Sequence, residues 1–146
     1  MYMVRLPLVL LFAFAANASA ASSNKLILDK INPAWQRLDS LSQGYLTDEQ
    51  QKTIQELAFA TAASEVCDGF AVDKTKFVDG FKIFADEKFN ALSAEDQRQQ
   101  ERKILVLYGI ATGLLSAEGL ITKKDFCTAA ESIRQESGGR FWEKKG

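Results

Sequence analysis

Cys67 and Cys127 are the only thiols in a chain of 146 residues that contains no histidine. Those two facts decide most of the chemistry open to it. Without His there is no Ser-His-Asp or Cys-His nucleophilic catalysis, and no His-based zinc or haem ligation. The thiols could form a structural bridge, act as a reactive cysteine or ligate a metal. A metal would lack ligands, because neither cysteine has a second thiol close by in sequence. In an exported chain an even cysteine count points to a disulfide. A bridge would close a loop of 60 residues and stabilise by about 4 kcal/mol through the entropy it removes from the unfolded chain. Acid–base chemistry would then fall to carboxylates alone, as in a glycan hydrolase. Asp68 and Asp73 flank one turn, and Glu118 and Asp125 another. Asp and Glu commonly cap helices at such places, so no catalytic residue and no cofactor are assigned.

Two stretches carry traces of a calcium loop. Residues 116–126, Ser-Ala-Glu-Gly-Leu-Ile-Thr-Lys-Lys-Asp-Phe, have the Gly, the Ile two residues later and the acidic-aromatic ending. The loop would start at Leu114, where the ion needs Asp, and Asp125 replaces the bidentate Glu at the twelfth position. The stretch around Asp68-Gly69-Phe70 puts Thr75 at its twelfth position. Neither is assigned a metal, and both suit a junction between helices.

The N-terminus implies export. Arg5 precedes an apolar run, Leu6–Ala16, and then Asn-Ala-Ser-Ala-Ala at 17–21. A charged start, a short apolar stretch and small residues at the exit make a signal peptide, with cleavage expected after Ala20. The run is too short to span a bilayer, which takes about 20 apolar residues, and no Cys follows for lipid attachment. We therefore expect residues 1–20 to be a leader and residues 21–146 one helical domain in the periplasm or outside the cell, with no transmembrane segment after cleavage. Of 18 basic and 19 acidic residues only Arg5 lies in the leader, so the remainder carries a formal charge of −2. That charge is small and scattered, and gives no case for nucleic acid or an anionic membrane.

Helical periodicity accounts for nearly all of the rest. Asn32-Pro33 predicts a short helix over 33–41, with Trp35, Leu38 and Leu41. Thr47 and Gln50 make a capping box for a helix over 48–66, with Ile54, Leu57, Ala58, Thr61, Ala62 and Glu65 along one line. Asp73 caps a third, 74–91, with a stripe of Phe77, Phe81 and Phe84, and Gly80 placed for close packing. Ser93 and Asp96 open a fourth, 94–115. Gly119 suits a turn, and Thr122 with Asp125 opens a fifth, 123–136, ended by Gly138-Gly139. No alternating run long enough for a strand appears. The fold class is all-α, a bundle of four to five helices tied by Cys67 and Cys127.

Arg102–Leu115 is the most apolar run after the leader. Ile104, Leu107, Tyr108, Ala111, Leu114 and Leu115 form one face; Leu105, Val106 and Ile110 make the other apolar too. A helix apolar nearly all round is expected to be buried nearly all round. It is therefore expected to be central, with Gly109 and Gly113 letting neighbours approach closely. The same Gly-x-x-x-Gly spacing pairs helices in membranes. Phe77, Phe81 and Leu107 could line an apolar cavity for a small ligand. Phe141-Trp142 could anchor a partner or fold back over a core edge.

Residues around the cysteines resemble the HdeA-type acid-stress chaperones of the bacterial periplasm. The shared pieces are Cys67-Asp-Gly-Phe70, Ala71-Val-Asp73, Gly80-Phe81, Gly109-Ile-Ala-Thr112, Cys127 and Trp142-Glu-Lys144. This chain adds an N-terminal segment of about 40 residues and spaces its cysteines more widely. The resemblance implies a chaperone without a catalytic site, whose carboxylates protonate in acid and whose apolar surface then meets unfolding clients. The preferred expectation is broader: a small exported, non-catalytic helical protein that binds an unknown protein or a small apolar ligand. An acid chaperone and a carboxylate-only envelope hydrolase are the alternatives.

Overall fold

The computed structural model describes residue 36, residues 39–137 and residues 139–143. The expected leader, residues 1–20, and most of the first expected helix, Trp35 and Leu38 included, lie outside the described residues. Five α-helices carry names below: α1 (Asp48–Val66), α2 (Lys74–Gly80), α3 (Glu87–Asn90), α4 (Ala94–Ile121) and α5 (Lys123–Ser137). A 3₁₀ turn, Phe81–Phe84, follows α2 directly. Among the described residues the only extended pairing is one antiparallel bridge between Val72 and Trp142. The fold is all-α.

α1 starts where its capping box requires. The Gln50 amide donates to Thr47 Oγ1 at 3.2 Å, and the Thr47 amide donates to Gln50 Oε1 at 3.1 Å. Two otherwise orphaned backbone donors are thereby satisfied. α1, not α4, is the central helix. Leu57, Ala58, Ala62 and Ala63 are wholly buried, and Ala60 nearly so. Small side chains on several sides let α4, α5 and α2 all reach its backbone. Truncating Leu57, which sits at the centre, would cost roughly 2–5 kcal/mol.

α4 corrects the expectation of all-round burial. Its inner face (Ile104, Leu107, Ala111) packs on Ile54 and Ala58 of α1 and on Phe84. Its outer face stays in solvent: Leu105 is 58% exposed, Val106 59% and Ile110 38%. A Cβ added at Gly109 or Gly113 would meet nothing within 4 Å, so these glycines make no close contact with a neighbour. Apolar periodicity gives the number of apolar faces on a helix but not how many neighbours exist to cover them.

α4 also runs further than its sequence suggested, through Gly119 to Ile121. Gly119 lies inside the helix, where a Cβ would stand 3.0 Å from the Phe126 ring of α5. A side chain at 119 would push α5 away. Thr122 alone separates α4 from α5. Its hydroxyl donates back to the Glu118 carbonyl at 2.9 Å, closing α4, while its own carbonyl accepts the Phe126 amide at 2.9 Å and so begins α5. The calcium-like segment is therefore helical through residue 121, and among the described residues no three His, Cys, Asp or Glu side chains gather around a metal position.

The expected single helix over 74–91 is three short pieces. Asp73 caps α2 as expected, accepting from the amides of Thr75 and Lys76, each at 3.1 Å. Asp86 interrupts the run by capping α3, accepting from the Phe89 amide at 2.8 Å. Buried Gln50 of α1 stabilises the break, donating to the Ile83 carbonyl at 3.2 Å and to Asp86 Oδ2 at 3.3 Å. The tighter turn brings Phe81 and Phe84, three residues apart, to one side, with ring centroids 6.0 Å apart. Gly80 does pack closely: a Cβ would lie 2.7 Å from Phe141 and 3.0 Å from Leu57.

Candidate functional site

Cys67 ends α1 and Cys127 lies in the second turn of α5; their sulfurs are bonded, with Cα atoms 5.6 Å apart. The separation matches ordinary disulfide geometry. No free cysteine remains, so neither sulfur serves as nucleophile or metal ligand. The bridge fixes α5 beside the end of α1 and so sets the width of the space between them.

The C-terminal segment fills part of that space. Gly139 takes a positive φ of 60° and turns the chain back after α5. Trp142 ends 3% exposed, its indole N–H donating to the Ala60 carbonyl at 3.0 Å. Its ring meets Phe70 edge-on at 4.8 Å and Phe59 at 6.0 Å. The Asp73 amide donates to the Phe141 carbonyl and the Glu143 amide to the Ala71 carbonyl, both at 2.9 Å. Lys76 Nζ adds a hydrogen bond to the Trp142 carbonyl at 3.1 Å. Phe141 and Trp142 thus fold back over the core edge.

Their outer surfaces floor a cleft of about 680 Å³. One wall is the line Lys52, Gln55, Glu56, Phe59 and Ala60 along α1, residues three and four apart and therefore on one face. Ile133 of α5 and Gly139–Trp142 complete it. The interior is mainly apolar and the charge sits at the rim. Glu56 lies between two cations, Lys52 Nζ at 3.8 Å and Arg140 Nη1 at 3.2 Å. Arg140 also lies 4.9 Å above the Phe141 ring. The rim therefore carries two positive charges against one negative. An apolar cleft of this size with a few polar groups at one side suits a small ligand with an apolar body and a polar end.

Phe77, Phe81 and Leu107 lie elsewhere. Leu107 is buried in the α1–α4 core. Phe77 and Phe81 pack edge-on with Tyr108, at centroid distances of 5.8 and 5.6 Å. Tyr108 in turn shares a 2.7 Å hydrogen bond with Thr61. Phe81 borders a smaller cleft of about 320 Å³ shared with Phe89 and Ile104. Phe59, Ile133 and Arg140 escaped the sequence argument. Phe59 falls off the apolar line of α1, and Ile133 is an isolated aliphatic in a polar helix; only folding brings them to Trp142.

The carboxylate pairs are occupied in other ways. Asp73 caps α2, and its carboxyl is held below the usual range, chiefly by the Lys76 amide hydrogen bond. Asp68 is fully solvated, 3.7 Å from Lys123. Burial pushes the Glu118 carboxyl up. The cleft itself is lined by one carboxylate, Glu56. Fold and site together define a disulfide-tied, all-α domain with an apolar cleft floored by Phe141 and Trp142. Comparison with protein-family models, with curated proteins and with solved structures finds no match.

Proposed function

We propose that this is a small exported binding protein without catalysis of its own, and that the Trp142 cleft takes a ligand with an apolar body and an anionic end. The cleft carries the proposal: its floor and walls are Phe59, Ala60, Ile133, Phe141 and Trp142, and Arg140 and Lys52 stand at its rim. Burying an apolar body there supplies affinity at roughly 25 cal/mol per Å², and Arg140 offers a planar donor pair for a carboxylate or sulfonate. The disulfide supports export, since such bridges persist in oxidising compartments. An anilinonaphthalene sulfonate probe has both parts of the ligand. In a Trp35→Phe variant Trp142 is the sole tryptophan, so energy transfer to the probe reports on this cleft. Saturable transfer is expected, weakened by Arg140→Ala and lost in Ile133→Glu. Transfer unchanged in Ile133→Glu would refute the assignment.

Client binding in acid is the second reading, and Asp73 favours it. Its carboxylate caps α2 while its amide holds the C-terminal segment, so protonation loosens both together. Suppression of client aggregation at about pH 2–3, below the ordinary carboxylate range, and none at neutral pH, is the expected result. Equal suppression at both, or none at either, removes this reading.

A further inference from the structure

The break in the helix expected over 74–91 leaves a second cleft, of about 320 Å³, at the low end of the range for small-molecule sites. It shares no lining residue with the Trp142 cleft. Phe81 and Phe84 reach it from the 3₁₀ turn and Phe89 from α3, where the Asp86 cap turns the chain back. Ile104 and Leu105 line it from α4, and Glu101 stands at the edge. Spacings of three and four put these last residues on one face. The walls are thus apolar and largely aromatic, and the single charged lining residue is a carboxylate.

That carboxylate has no ion-pair partner among the described residues. Arg98, one turn earlier, is held by Glu95 at 2.5 Å. Lys103 lies 5.0 Å from the centre of the Tyr45 ring, and Lys82 pairs with Asp79 at 2.6 Å. Arg102 follows Glu101 directly and so points about 100° away round the helix. No lysine or arginine lines the cleft.

We propose that this cleft binds a small organic cation, an ammonium group carried on a short apolar body. Charge complementarity chooses that occupant over the others. A neutral apolar body would cover the edge of an unpaired carboxylate and strip its water without replacing it. An anion would meet Glu101 directly. A metal ion needs several oxygen ligands, and no three His, Cys, Asp or Glu side chains gather at a metal position among the described residues. An alkylated ammonium sheds water more readily and gains from aromatic neighbours. The Phe81 and Phe84 ring centroids are 6.0 Å apart, so a group resting against both lies within the roughly 6 Å reach of a cation–π contact. The two clefts of the domain then have opposite preferences, since the rim of the Trp142 cleft carries Lys52 and Arg140 against Glu56 alone.

The probe is benzyltrimethylammonium chloride, titrated into the purified protein at constant ionic strength and followed by amide chemical shifts. A ligand of so few atoms should bind at roughly millimolar strength. Saturable shifts are expected at Phe89, Ile104 and Leu105. Glu101→Gln should weaken binding at least about fivefold, the worth of one charge contact near a surface. Leu105→Arg should abolish it by placing a cation in the cleft. Leu105 is 58% exposed, so the circular dichroism spectrum of that variant should match the parent. Phenylmethanesulfonate, with the same body and the opposite charge, should leave these amides unshifted. No saturable shift, equal affinity in Glu101→Gln, binding retained in Leu105→Arg, or equal binding of the sulfonate at the same amides each overturns the proposal.

Discussion

Trp142 fastens the C-terminal segment to the core, and its removal should be felt throughout the fold. Trp142→Ala deletes a side chain that is 3% exposed and bounded by Phe59 and Phe70. Truncations of this kind cost roughly 3–5 kcal/mol, covering lost transfer energy and the cavity left behind. The lost indole hydrogen bond adds little, because the Ala60 carbonyl keeps the Ser64 hydroxyl at 2.8 Å. Trp142→Phe keeps most of the apolar area and loses that bond and some volume, which puts it at about 1–2 kcal/mol. For a domain near 100 residues each kcal/mol shifts Tm by about 4–8 °C. Trp142→Phe should therefore melt roughly 5–15 °C below the parent, and Trp142→Ala, at about 3–5 kcal/mol, roughly 12–40 °C below it. The assay is thermal denaturation by far-UV circular dichroism, with urea titration for the free energies. If Trp142→Ala melts within about 2 °C of the parent, the C-terminal segment is not docked as described, and the cleft it floors goes with it.

Paired replacement of Cys67 and Cys127 by Ser should cost about 4 kcal/mol and be visible as a large drop in Tm; an unchanged melt in oxidising buffer would remove the bridge from the stability argument. Glycine substitutions should split by location. Gly80→Ala drives a Cβ to 2.7 Å from Phe141 and should destabilise by about 1–3 kcal/mol, while Gly109→Ala, with open space around it, should stabilise by up to about 1 kcal/mol. The two shifted carboxyls act in opposite directions with pH. Asp73, held low by the Lys76 amide, stabilises at neutral pH, and that contribution is lost as pH falls below the ordinary carboxylate range near 4. Glu118, pushed up by burial, penalises the fold at neutral pH, and the penalty lifts on acidification. Asp73→Asn should flatten the acid limb of a stability–pH curve; Glu118→Gln should raise stability at pH 7 and steepen that limb. The reverse pattern would contradict both assignments.

Much of the local structure was legible before folding was considered. Thr47 with Gln50, Asp73, and Ser93 with Asp96 mark helix starts because a side-chain oxygen meets amides two or three residues on, a strictly local event. Where the reading broke down, a distant residue intervened. Gln50 props open the helix expected over 74–91, and a glycine expected to lie in a turn sits inside α4 against the Phe126 ring. Phe141 and Trp142 were recognised as an anchoring pair, but their cleft was not, since Phe59 and Ile133 stand 74 positions apart in sequence.

The disulfide partners, the all-α class and the want of histidine chemistry follow from the sequence by itself, because residue counts, periodicity and capping do not depend on which elements touch. The tertiary structure alone decided which helix is central. Alanine-rich α1 takes that place because small side chains let three neighbours reach its backbone. The more apolar α4 is covered on one side only among the described residues, with Leu105, Val106 and Ile110 left exposed on the other. Burial is a relation between elements, and a sequence states only what each element brings to it.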